Sequence, residues 1–500
     1  MPVRNISFRN WKLALHIALL TSGAMIWTGC NKANVAASSD NGKIPITTES
    51  EEARNEFLAG RDLSDKLLAH ESLAHFDQAI SMDPTFATAE FYRATNSPTT
   101  KEFQEHLQNA LNLSDKVSDG ERLLILAAQA ANNGDAVKQK EFLEKAVAEY
   151  PNDERAQLTL GTYYFAIQDL DKAVEHLKKA TEIAPDFSAT YNQLGYTYRQ
   201  REEYANAEQA FQKYILLIPN DPNPYDSYAE LLLKEGKFDE SLVEYHKALS
   251  MDPHFAPSHF GISADYLYLN RPDEANAELQ TMADRARSDG ELRTAYFGMA
   301  VVASDRGKFD DALKAMAKEY AVAQKKNDVV SMAADLQAEG NIQLAKQDYA
   351  GAAKSFDTSF QMIASSNQSQ EIKDNSALLH HFNEAAVAIG KKDLAVARMH
   401  AEEFGKGAQA SNNPAQVQQE HEILGRIALA AKDYSAAVSE LQKANLQNPY
   451  NLYRLGQAYQ GQGDKAKSQE YFTKAKNFNP LPGLNYAFIR RKLNAAAQGA

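Results

Sequence analysis

Four prolines, Pro151, Pro185, Pro219 and Pro253, are evenly spaced along the chain, each 34 on from the last. A chain with that period builds one short unit repeatedly, because a single copy has too little apolar surface to bury alone and leans on its neighbours. Residue types recur within the period as well. Residues 154–187 carry Leu160-Gly161, Tyr164, Ala173, Leu177, Ala180 and Pro185. Residues 188–221 carry Leu194-Gly195, Tyr198, Ala207, Phe211, Tyr214 and Pro219. Residues 222–255 carry Tyr228-Ala229, Leu232, Ser241, Tyr245, Ala248 and Pro253. Apolar positions three, four and seven apart predict two short amphipathic helices per copy. Gly161 and Ala173 let those helices approach, while Tyr164 and Leu177 fill the seam. Pro185 and Pro219 end the second helix, since proline cannot continue its hydrogen-bond ladder.

This constellation resembles the tetratricopeptide repeat, and 154–187 matches nearly the whole signature. The resemblance implies an all-α fold: a right-handed superhelical solenoid of antiparallel helix pairs. Weaker copies bring the expected number to about twelve. Residues 53–86 keep Gly60, Phe76, Ala79 and Pro84, and 449–482 keep Leu455-Gly456, Tyr459, Phe472, Ala475 and Pro480. Beyond about 290 the period lengthens, because the small residues Ala300, Gly340, Ala385 and Gly425 are set wider apart than the prolines. Ser/Asn/Gln-rich joints are expected near 363–376 and 405–416. The expected division is therefore a regular array over 53–289, a longer-repeat array over 290–483, and a capping helix and tail over 484–500. That last helix is expected to keep Arg490, Arg491 and Lys492 in water.

Residues 1–29 read as an address. Arg4, Arg9 and Lys12 precede the apolar run Leu13–Trp27, which is too short for the ~20 residues of a bilayer span. The run stops at Thr28-Gly29-Cys30, and Cys30 is the sole cysteine of the chain. This is similar to a bacterial lipoprotein signal, which implies that Cys30 is lipidated and becomes the new N-terminus. Residues 30–52 then read as the lipidated Cys and a flexible tether. Asn31 in place of Asp favours, by the same resemblance, the outer membrane facing the periplasm. Without residues 1–29 the chain keeps 50 Lys+Arg against 66 Asp+Glu. That acidic balance argues against a nucleic-acid partner, because phosphate contacts need cations.

No phosphate-binding loop, nucleophile elbow or H-E-x-x-H stretch is present. His70 and His75 lie five apart and diverge on a helix. His380 with Glu384 reads equally well as solvated helix surface, and Gly461-Gln462-Gly463 as an inter-helix turn. No enzyme activity, metal or small-molecule cofactor is expected. The family resemblance implies instead a concave face built from the first helix of each pair. The positions that line it fall on Arg155, Leu158, Thr162 and Phe165; on Ala189, Asn192, Tyr196 and Arg199; and on Asn223, Asp226, Glu230 and Leu233. Arg155, Asn192, Tyr196, Arg199, Asp226 and Glu230 are the candidate partner contacts, suited to an extended peptide or loop. The expected function is a membrane-anchored scaffold that binds a protein or peptide in the cell envelope. A glycan-binding outer-membrane lipoprotein is the alternative, disfavoured because Trp11 and Trp27 are the only tryptophans. A helical-repeat enzyme is a further one.

Overall fold

The computed structural model describes residues 42–481 and 483–498. The signal segment, Cys30 and the first part of the tether lie outside the described residues. The described residues hold twenty-five α-helices and one short 3-10 turn, with no strand among them. Twenty-four helices make twelve consecutive pairs, here called A and B within each pair, and Leu484–Gln498 follows alone. The all-α repeat solenoid expected from the even spacing of the prolines is the observed fold.

The regular pairs show how the period works. Glu154–Ala166 is followed by Leu170–Ile183, and Ser188–Gln200 by Tyr204–Leu217. The B helices stop just before Pro185 and Pro219. A Cβ on Gly161 would lie 2.8 Å from Leu177 Cγ, and one on Gly195 2.6 Å from Phe211 Cε1. Glycine is therefore what lets A and B touch. Between A and B a single residue turns left-handed: Gly134, Gln168, Glu202, Gly236 and Asn270, at the same interval as the prolines. The residue after it precedes B. Where that residue is Asp135 or Asp169, its carboxylate accepts a first-turn N–H.

The long repeats come from longer helices rather than longer joints. Glu154–Ala166 and Leu170–Ile183 have 13 and 14 residues, whereas Asp289–Asp305 and Phe309–Lys325 have 17 each. One added turn of about 3.6 residues per helix returns the apolar stripe to the same face. The joint expected at 405–416 is mostly helix, because Leu394–Ser411 runs on to a left-handed Asn412.

The chain divides into two compact units. The described residues of the first run to Pro219 and include Asn367–Ile372; those of the second run from Asn220 to Ser366 and from Lys373 onward. The lengthening near 290 falls inside the second unit.

In the first unit the tether expected through residue 52 is shorter than expected. Ile44 N donates to Asp153 Oδ2 at 3.0 Å, and Lys43 pairs with Glu154 at 2.8 Å. Thr47 donates its N–H and hydroxyl to Glu121 at 2.9 and 2.5 Å, and Thr48 its hydroxyl to Asp83 at 2.6 Å. These bonds strap 43–48 across three repeats.

In the second unit the last helix is not a solvated cap. Leu484, Ala487 and Phe488 join the core of Phe297, Ala300, Val301 and Ile342. Arg490 is largely buried and forked onto Asp305, at 2.6 and 2.7 Å, with Nη2 also on Leu267 O at 3.0 Å. The reason is charge: Asp305 is itself buried and needs a cation. Arg491 and Lys492 are exposed, as expected.

Candidate partner-binding faces

In the first unit Arg155 stands on Glu154–Ala166 and spans two repeats. It donates to Asp65 and to Glu154, each at 2.6 Å, and lies 4.7 Å from the centre of the Phe187 ring. Burial works against its charge, but the Asp65 carboxylate and its neighbours outweigh that and hold the guanidinium above its usual range. On the next A helix Arg199 lies 4.6 Å from the Tyr196 ring centre. Tyr196 is 2% exposed and meets Phe211 edge-on at 5.3 Å. It thus acts as a platform beneath Arg199 rather than as a flat outer contact. Asn192 is buried on the same helix. The pattern is two arginines on successive A helices, each seated on an aromatic ring, which limits their motion and aims them.

Asp226 and Glu230 belong to the second unit and are buried. Asp226 accepts from Ser258 Oγ at 2.8 Å, which ties Pro222–Lys234 to Ala256–Tyr268. The ends of these A helices are occupied by the chain itself. Lys234 Nζ donates to Phe478 O at 2.6 Å and lies 3.7 Å from the Phe478 ring centre. Tyr268 donates its hydroxyl to Pro480 O, and Leu481 packs against the cores around Phe260 and Ile262. An extended stretch is thus held through its carbonyls. Sequence reasoning missed this, because Lys234 and Phe478 are separated by 244 positions. No local spacing signals such a pair.

The near-miss motifs resolve into packing. His75 Nδ1 bonds Glu56 at 2.8 Å, and His380 stacks on Phe360 at 4.7 Å. Gly461 and Gln462 are the end of a helix rather than a turn, with Gly463 as its left-handed cap. Among the described residues no group of three or more His, Cys, Asp or Glu is arranged to hold a metal ion.

Tetratricopeptide-repeat models match residues 127–194, 188–221 and 449–480. The anaphase-promoting complex subunit cut9 of Schizosaccharomyces pombe is 24% identical over 192 residues, which is 37% of this chain and 28% of that protein. Human protein O-mannosyl-transferase TMTC3 is 24% identical over 162 residues, 29% of this chain and 17% of that protein. The chain thus spans less than a third of these relatives. A solved tetratricopeptide repeat protein from Parabacteroides merdae is 14% identical, covering 57% of this chain and 99% of that one, with a TM-score of 0.34. The period, the Gly-to-ring seams and the family-model matches together identify tetratricopeptide repeats in this chain.

Proposed function

We propose that this protein is a lipid-anchored scaffold of the bacterial cell envelope that binds a protein or peptide partner and works by binding rather than catalysis. The observation that carries the reading is the pair of ring-seated arginines, Arg155 and Arg199, on successive A helices. Such anchors bind well because their ordering cost is met before a partner arrives. Asn192 and Tyr196 support them from within the same unit. Asp226 and Glu230 are buried in the second unit, where Asp226 ties neighbouring A helices together rather than meeting a partner. The anchor rests on Cys30 and the run before it, with the outer membrane, facing the periplasm, as the favoured location. No described helix is long and apolar enough to cross a membrane, and acyl chains at ~0.8 kcal/mol per buried CH₂ supply the attachment instead.

The experiment is crosslinking in intact membranes followed by purification of the full chain. Arg155→Lys with Arg199→Ala keeps one charge but removes both guanidinium forks. The expected result is loss of the co-purified partner with helical circular dichroism unchanged; an unchanged partner set refutes the site. Cys30→Ser is expected to leave a larger precursor that takes up no labelled fatty acid. Labelling of the Ser variant refutes the anchor.

A further inference from the structure

Elsewhere in the second unit, two cations gather around one carboxylate and a third stands by the adjoining Tyr450 ring. Glu422 and Arg426 lie one turn apart on Pro414–Ala430. Tyr450, Asn451 and Arg454 lie on Pro449–Gln462, and Lys492 lies on Leu484–Gln498. The carboxylate is already committed. Glu422 Oε1 accepts from Arg454 Nη1 at 2.9 Å, and Oε2 accepts from Asn451 Nδ2 at 3.0 Å. Arg454 Nη1 also donates to Asn451 Oδ1 at 2.7 Å. Arg426 approaches Glu422 only to 3.7 Å and donates no hydrogen bond to any described residue. Lys492 makes no ion pair with a described residue. Two of these cations approach the Tyr450 ring, whose centre lies 4.0 Å from the Arg454 guanidinium and 5.7 Å from the Lys492 ammonium.

The chemistry of the neighbours reports the imbalance. Burial would push the Tyr450 phenol up, yet Arg454, Lys492 and Arg426 together hold it below its usual value. Arg426 is pushed down by burial and by Arg454. Arg426 is 17% exposed and Lys492 lies in solvent, so the cluster is reachable from outside. A cluster with three cations and one carboxylate leaves room for a further anion, and half-buried cations without one are costly.

We propose that Arg426, Lys492, Arg454 and the Tyr450 hydroxyl form a binding site for an oxyanion. The planar fork of Arg426 would take two oxygens, Lys492 would add a point charge, and Tyr450 would donate one hydrogen bond. Two sources carry this chemistry: an acidic side chain of a docked peptide, or free phosphate. These residues all belong to the second unit, so the site stands whether or not Arg155 and Arg199 bind a partner.

The test is thermal unfolding of the full chain at fixed ionic strength, with sodium phosphate or N-acetyl-triglutamate replacing chloride. The expected result is a dose-dependent rise in melting temperature with one of the two probes. A response to the tripeptide assigns the site to a peptide carboxylate; a response to phosphate alone assigns it to the free ion. Arg426→Met is expected to raise the melting temperature in chloride and to abolish the anion response. Lys492→Gln, at an exposed position, is expected to weaken the response without unfolding. No response to either probe overturns the proposal. So does an Arg426→Met variant that melts lower than the parent in chloride.

Discussion

Asp265 offers a direct measure of how tightly the repeats of the second unit exclude water. It stands on Ala256–Tyr268, is 0% exposed, and among the described residues neither carboxyl oxygen receives a well-formed hydrogen bond. Burial raises its pKa from 3.8 to about 8; Ser241 offsets this only in part, its hydroxyl being given to Ala229 O, and Asp239 adds to it. The folded chain therefore holds a proton here that the unfolded chain releases above pH 3.8. Stability from this group is fully present below that pH, falls as pH rises, and levels off above about pH 8. The slope is about 1.4 kcal/mol per pH unit, so the loss between pH 5 and pH 7 is about 2.7 kcal/mol. Asp265→Asn keeps the shape but cannot titrate. Urea unfolding of the full chain at pH 5, 6, 7 and 8, following the transition of the unit that contains Asp265, measures the difference between parent and variant. That difference is expected to move by about 2–3 kcal/mol in favour of Asn between pH 5 and pH 7. A difference that stays constant across this range refutes the argument, because it would mean that water reaches Asp265 in the fold.

Three further perturbations test the packing. Arg490→Ala leaves Asp305 buried without its cation and is expected to cost about 3–5 kcal/mol by chemical denaturation; adding Asp305→Ala should restore part of that loss. Gly195→Ala places a methyl against the Phe211 ring and is expected to cost about 1–3 kcal/mol, read as a lower melting temperature; unchanged melting would show that the seam can open at no cost. Thr47→Val removes the hydroxyl given to Glu121, and hydrogen exchange is expected to quicken at 43–48 while the helices of the first unit keep their protection; uniform protection would show that the strap does not depend on this bond.

The repeat was legible because its signals are local. An evenly recurring proline, and a glycine opposite a ring, survive in sequence as fixed spacings. The left-handed slot recurs as strictly, yet Gly134, Gln168, Glu202, Gly236 and Asn270 do not share one residue type. There the backbone sets the requirement and the turn tolerates several residues. The lengthened repeats hid a simple cause, added turns of helix, because the polar residues at 405–411 suggested a joint where helix continues. Counting positions along the A helices put Tyr196 on the right helix but could not tell an outer contact from a support under Arg199. The distinction rests on Phe211, which comes from the partner helix. Arg490 was misread for the same reason. Three basic residues in a row read as solvated, while the buried Asp305 that claims one of them lies 185 positions away.

That distant pairing changes how the second unit holds together. In an open array each repeat contacts only its neighbours, so the ends fray first and stability is a sum of local terms. Here Leu484–Gln498 packs against Asp289–Asp305 and Val329–Lys346 as well as against Pro449–Gln462. The final pair, 449–476, cannot loosen without disturbing that helix, and the helix cannot leave without exposing Phe488 and Ile489 and stranding Asp305. The extended stretch before it is fastened by Lys234 and Tyr268 to repeats still earlier in the chain. Fraying from the C-terminus therefore costs contacts with repeats far back in the sequence, on the order of a buried ion pair and several apolar side chains together. An array closed in this way unfolds as a block, and its A-helix ends at Lys234 and Tyr268 already have an occupant. A partner that meets the second unit at those ends competes with the 478–481 segment, and one that does not compete binds on another face.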